Sequence, residues 1–159
     1  MMTWEEEVRG FIEAANRAGV RMLMVGGGAV NWHGYKRHSA DVDFWLQRTE
    51  SNLTKLIEAL RIIGYELDRF PSVVEEGLRN VSLKFSPHDL DVELITRFDV
   101  GKSFDEAYAR SIRVTRPDSP LHYWQVLAYD DLVTSKVKAG RPKDLLDIQE
   151  LQRIRQGKA

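Results

Sequence analysis

Two aspartates, Asp41 and Asp43, stand at i and i+2 in the run Asp41-Val42-Asp43-Phe44-Trp45-Leu46. Charged and apolar residues alternate there, the period-two pattern of a half-buried strand, so both carboxylates project from one face. At the usual strand rise their Cα atoms lie ~6.6 Å apart. Carboxylates held so close repel unless a cation lies between them. The pair suits Mg²⁺, a hard cation that takes oxygen ligands and accompanies phosphates. A further acid is available in Leu90-Asp91-Val92-Glu93-Leu94, where Asp91 and Glu93 share one face and the apolar residues share the other. Asp91 is the expected third carboxylate, and Glu93 takes its place if the strand register differs by two. Two metal ions ~4 Å apart would stabilise the attacking and leaving oxygens of an in-line phosphoryl displacement. An acid of the same set can deprotonate an attacking hydroxyl.

Upstream, the apolar run Arg21-Met22-Leu23-Met24-Val25 ends in three glycines, Gly26, Gly27 and Gly28. Glycine after a strand lets the backbone turn sharply and approach a ligand with no Cβ in the way. A helix starting there would aim its free N–H groups at the same spot, which suits a phosphate. The spacing is not the dinucleotide fingerprint, because the third glycine position falls on Asn31, and no Gly-Lys-Ser/Thr follows to make a P-loop. An Asp-x-Asp pair by itself is more often a solvated strand face. It is the order of glycines, acid pair and later acid that is specific.

Several elements must position these residues. Thr3 and Glu6 form a capping-box pattern for a helix over Trp4 to Ala18, stopped by Gly19. A short helix is expected over Ala29 to His33 and an amphipathic one over Ser51 to Ile63, with Gly64 as its stop. Strands are expected at 21–25, 41–46, 81–85 and 90–95, the last two as a hairpin around Ser86-Pro87-His88, and a further short strand at 111–115. Helices are expected over Phe104 to Arg110, Asp130 to Ala139 and Pro142 to about Arg155, with Pro142 placed as a first-turn proline. Pro117 and Pro120 bracket a loop. The class is α/β or α+β: a short mixed central sheet flanked by helices, with C-terminal helices. One domain is expected over 1–159, its core at about 1–116 and a helical part at about 120–159.

Composition narrows the field. With 159 residues, 43% hydrophobic and 30% charged, the chain has the balance of one soluble globular domain. Lys and Arg number 23 against 24 Asp and Glu, a net charge of -1, which argues against a protein that coats nucleic acid. The absence of cysteine excludes disulfides, thiolate metal sites and a thiol nucleophile. The four histidines lack metal-ligand spacing; His38 lies in the motif loop, where substrate contact is conceivable. Trp32, Tyr35 and Trp45 are read chiefly as packing residues, with base stacking as the sharper alternative. Glu5, Glu6 and Glu7 stand where a signal peptide would be basic, and no run approaches the ~20 apolar residues needed to span a bilayer. A cytoplasmic protein without membrane contact is expected.

Gly-Gly, a short helix, then Arg37-x-Ser39-x-Asp41-x-Asp43 and a later strand aspartate resemble the nucleotidyltransferase superfamily related to DNA polymerase β. A second block, Leu132-Val133-Thr134-Ser135-Lys136 with Ala139-Gly140-Arg141-Pro142-Lys143-Asp144, Asp147 and Leu151, resembles the AbiEii-like bacterial branch. The resemblance implies a minimal nucleotidyltransferase fold. In it Asp41 and Asp43 hold both Mg²⁺ ions, and Asp91 completes one metal site and helps activate the acceptor. Gly26 and Gly27 hold the triphosphate through backbone N–H groups, and Ser39 stands where the family often has Thr. Lys136 reaches the β/γ phosphates, while Arg141, Lys143 and Asp144 order the helix pair that closes the site. The implied reaction moves a nucleoside monophosphate from a nucleoside triphosphate to a hydroxyl of an RNA end, a protein or a small molecule, as in a toxin-type enzyme with an antitoxin partner. The alternative is an inactive or antitoxin-like nucleotide-binding module of the same fold. The run from Lys136 onward, with seven basic residues and three acids, fits either a solvated face or a patch for triphosphate or RNA.

Overall fold

The computed structural model describes residues 3–37, 41–85 and 90–157. Helix α1 (Trp4–Ala18) begins at the expected capping box: the Glu6 N–H donates to Thr3 Oγ1 at 3.2 Å and the Thr3 N–H to Glu6 Oε2 at 2.8 Å. It ends on Gly19 in the left-handed region at φ 81°. Strand β1 (Met22–Val25), helix α2 (Gly26–Trp32) and strand β2 (Asp41–Leu46) follow, then α3 (Glu50–Ile62) and a single-turn helix α4 (Ser72–Glu75). Strands β3 (Val81–Phe85) and β4 (Leu90–Ile95) lead to α5 (Phe104–Arg110), β5 (Ile112–Thr115) and β6 (Tyr123–Val126). Helices α6 (Tyr129–Ala139) and α7 (Pro142–Arg155) close the chain.

The six strands form one mixed sheet in the order β3-β4-β2-β1-β6-β5. β2 pairs antiparallel with β1 and parallel with β4, and β3 and β4 form the expected antiparallel pair, Phe85 opposite Leu90. Its expected turn at Ser86-Pro87-His88 lies outside the described residues. α1 and α3 pack together over the apolar face of the sheet, where Phe11 meets Phe44 with ring centroids 6.5 Å apart. The opposite face carries Asp41, Asp43 and Trp45 on β2. Trp45 breaks the alternation because Phe98 and Phe104 fold over it, at 5.4 and 5.1 Å between ring centroids. That face is thus apolar at one end and acidic at the other.

Three features differ from the sequence reading. α2 starts at Gly26, three residues before the expected Ala29, so the glycines are its first turn. β6 occupies 123–126, where no strand was expected; it runs parallel to β1 (Met24 opposite Val126), and the Leu127 N–H donates to the Met24 carbonyl at 3.0 Å. α4 was not expected either; it follows Pro71, which occupies its N-cap.

Candidate functional site

The register of β2 against β4 builds the acidic centre. Asp41 lies beside Asp91 and Asp43 beside Glu93 in a parallel pair. Residues in register on adjacent strands share a face, ~4.8 Å apart, so the four acids stand together at one end of the sheet. The expected trio of Asp41, Asp43 and Asp91 is therefore on one surface, and Glu93 joins it next to Asp43. Neighbours from β3 temper the outer pair: Lys84 Nζ lies 3.5 Å from Asp91 Oδ2, and the Ser82 hydroxyl donates to Glu93.

Asp43 feels this crowding. Burial, then the negative charges of Asp41 and Glu93, raise its pKa to about 6, against the opposing pull of Lys136 and Lys143. The carboxylate sits in an excess of negative charge that a bound cation would relieve.

β1 brings the glycines to this acid. Val25 is opposite Asp43 in the antiparallel pair, and Gly26, at φ 60°, turns the chain directly over it. A Cβ at Gly26 would overlap Asp43 Oδ2. Gly26→Ala therefore meets both a left-handed backbone, a cost of ~1 kcal/mol, and a collision with the central acid. Its melting temperature is expected to fall by about 3 °C or more in a thermal melt. Gly10→Ala on α1, where a Cβ meets nothing within 4 Å, should not lower it.

A cleft of about 250 Å³ opens over Gly26 and Asp43. Ile95 and Phe98 form one wall; Ser135, Lys136, Arg141 and Asp144 of the C-terminal helices form the other. Lys136 is buried on α6, and its ammonium lies 3.3 Å from Asp144 Oδ1 and 2.9 Å from Asp147 Oδ2. Arg141 is the N-cap residue of α7, with its Nε 2.6 Å from Asp144 Oδ2. The expected phosphate-side residues Lys136 and Arg141 thus line the same cleft as Asp43. Lys143, in the exposed first turn of α7, adds positive charge felt at Asp43. Gly27 is buried in the first turn of α2. Ser39 and His38 lie outside the described residues. A larger groove of about 470 Å³, bordered by Arg48, Leu53 and Phe70, contains none of the expected site residues.

Sequence reasoning gave no role to Ile95 or Phe98. Ile95 continues the Asp91–Glu93 face by period two, which was legible; Phe98 lies beyond the strand, where no pattern marks it.

Among the described residues, no three His, Asp or Glu are gathered tightly enough to hold a metal ion by themselves. Mg²⁺ is ordinarily held by one or two carboxylates together with substrate phosphates, so a protein share of two acids is chemically adequate. The crowded Asp43 carboxylate, its pKa raised by burial and neighbouring acids, and the side-chain-free approach at Gly26 fit such an ion.

No helix among the described residues is long and apolar enough to cross a membrane. Neither a curated protein nor a solved structure matches the chain. A family model described as "Nucleotidyltransferase of unknown function (DUF6036)" matches residues 2–156. Mixed sheet, paired strand acids and cleft all accord with that match, and the chain belongs to this nucleotidyltransferase family.

Proposed function

We propose that the protein is a Mg²⁺-dependent enzyme that transfers a nucleoside monophosphate from a nucleoside triphosphate to an acceptor hydroxyl. The observation that carries this reading is the in-register pairing of Asp41–Asp43 with Asp91–Glu93 on one sheet face, with Asp43 lining a cleft that Lys136 and Arg141 also line. In the reaction the acceptor oxygen bonds to the α-phosphorus, the bond from that phosphorus to the bridging oxygen breaks, and pyrophosphate leaves with the electron pair. Asp91, or Glu93 in its place, takes the hydroxyl proton. Asp41 and Asp43 are the residues that would hold the metal, together with the substrate phosphates. The bound ions would supply charge neutralisation on the triphosphate and on the attacking oxygen.

The remaining assignments follow the polarity of the cleft. Gly26, on the cleft, offers a backbone N–H and no side chain, and Gly27, buried in the same first turn of α2, would add a second N–H; Lys136 and Arg141 supply positive charge in the cleft, and Lys143 reinforces it. Kinship with the AbiEii-like branch, a toxin role and an antitoxin partner belong to the same proposal. So does the acceptor, whether RNA end, protein or small molecule.

The test is to incubate the protein with each α-labelled nucleoside triphosphate, Mg²⁺ and a cell extract, then fractionate nucleic acid, protein and small molecules. Label is expected in one fraction with one preferred nucleotide, and it should vanish with Asp43→Asn. Equal labelling by wild type and Asp43→Asn, or none by either, overturns the transferase reading. Nucleotide binding that ignores Mg²⁺ would instead identify a binding module.

A further inference from the structure

The helices α6 and α7 enclose a cluster of charge where an apolar contact would have sufficed to join them. Asp144 and Asp147 are essentially inaccessible, at 0% and 1% exposure, and Lys136 between them is 6% exposed. Buried ion pairs commonly contribute no more stability than well-packed apolar residues of similar volume. Leu132 and Leu151, fully buried on the same two helices, already supply apolar packing. The cluster calls for a reason other than stability.

Its connectivity supplies one. Asp147 receives Arg37 in a two-point contact, Nε to Oδ1 at 2.9 Å and Nη2 to Oδ2 at 3.0 Å. The same Oδ2 lies 2.9 Å from Lys136 Nζ. Arg37 is held at its backbone as well, its N–H donating to Asn31 Oδ1 at 2.8 Å. Only three residues separate Arg37 from Asp41, the first residue of β2. One carboxylate on α7 thus contacts both Arg37, the last described residue before Asp41, and the lysine that lines the cleft with Asp43. Arg37, Lys136 and Arg141 bring three positive charges against the two of Asp144 and Asp147, so the cluster carries a net positive charge at the cleft.

We propose that Asp147 is a positioning residue, one that sets the metal-side acid through Arg37 and the phosphate-side cation through Lys136; this rests on the transferase reading above. A two-point guanidinium–carboxylate contact fixes orientation as well as distance, which a lysine in place of Arg37 would not reproduce. Groups hydrogen-bonded to a metal ligand typically influence metal affinity by 10- to 100-fold; Asp147 and Arg37 stand one step further back, so the lower end of that range is expected.

The decisive measurement is Mn²⁺ binding to the full chain without nucleotide, by electron paramagnetic resonance, alongside Mg²⁺–nucleotide binding by calorimetry. Wild type, Asp147→Asn, Arg37→Gln and Arg37→Lys are compared well below their melting temperatures. Asp147→Asn is expected to weaken both affinities about tenfold or more, Arg37→Gln to weaken Mn²⁺ binding by a similar factor, and Arg37→Lys to fall between Arg37→Gln and wild type. Arg37, a quarter exposed at its side chain, gives a second route if Asp147→Asn does not fold. Variants with lowered melting temperatures but wild-type Mn²⁺ and nucleotide affinities would reduce the cluster to scaffolding and overturn the inference alone. A wild-type protein that binds neither Mn²⁺ nor nucleotide would overturn the transferase reading and this inference together.

Discussion

Asp43→Asn is expected to melt at a higher temperature than the wild type in metal-free buffer while losing transfer activity. Burial and the neighbouring charges of Asp41 and Glu93 raise the Asp43 pKa to about 6 in the folded protein, well above an unfolded aspartate. Between the ordinary aspartate value and about 6, the folded state holds a proton that the unfolded state has released. Stability contributed by the protonated acid is therefore full at low pH and is lost as pH rises through about 6. Above that pH the folded protein carries an ionised carboxylate it disfavours, and an amide removes the burden. With solvent screening of this partly exposed group, the gain is about 1 kcal/mol, or roughly 3 °C for a chain of this size. It should fade as the pH approaches 4. Activity moves the other way. Under the proposed function, an ion lost from the site would forfeit several kcal/mol of transition-state charge stabilisation, about a thousandfold or more in rate. Thermal melts with excess EDTA and labelling assays on one preparation check both halves. A variant that melts below wild type at pH 8 would contradict the charge-crowding account. Saturating Mg²⁺ should erase the stability difference, because the ion stabilises only the protein that binds it.

The same opposition between folding and function explains what was legible in the sequence. α1, β2, β3, β4, α5 and α7 all stand within a residue of where local signals placed them. A capping box, alternating side chains or a first-turn proline encodes each element within its own few residues. β6 was invisible for the opposite reason. Its four residues follow a proline-bracketed segment, and its place in the sheet depends on β1, about a hundred residues earlier. The early start of α2 was masked by Gly26, Gly27 and Gly28, which read as a breaker yet form the helix's first turn.

For the site, the acids were legible as residue types because Asp and Glu on one strand face seldom serve packing. Their assembly was half legible. Spacing gave the shared face within each strand, while the parallel register that seats Asp41 by Asp91 and Asp43 by Glu93 is a tertiary fact. Least legible was the contact between Arg37 and Asp147, separated by 110 positions. Both residues stood in recognisable motif blocks, yet nothing in either block indicates that they meet.

Asp144 provides the contrasting prediction, and a large one. Burial alone would raise its pKa, but hydrogen bonds from the Arg141 side chain and backbone, with the charge of Lys136, outweigh this and hold it below the ordinary aspartate value of 3.8. A depressed carboxylate contributes stability that is fully present above the unfolded value and is lost as pH falls through the folded one. Asp144→Ala removes both acceptor oxygens at a fully buried position and leaves Arg141 without its carboxylate and Lys136 dependent on Asp147 alone. Deleting one partner of a buried ion pair typically costs about 3–5 kcal/mol, which at 2–4 °C per kcal/mol lowers the melting temperature by about 10 °C. The deficit should be greatest near neutral pH and narrow below the ordinary aspartate range, where wild type protonates the same group. Asp43→Asn and Asp144→Ala thus shift stability in opposite directions at pH 7, and both differences shrink on acidification. Two aspartates bordering one cleft behave as opposites because one faces like charges and the other faces cations. If Asp144→Ala melted within 2 °C of wild type at pH 7, the buried cluster would not secure α6 to α7, and the basic wall of the cleft would need another support.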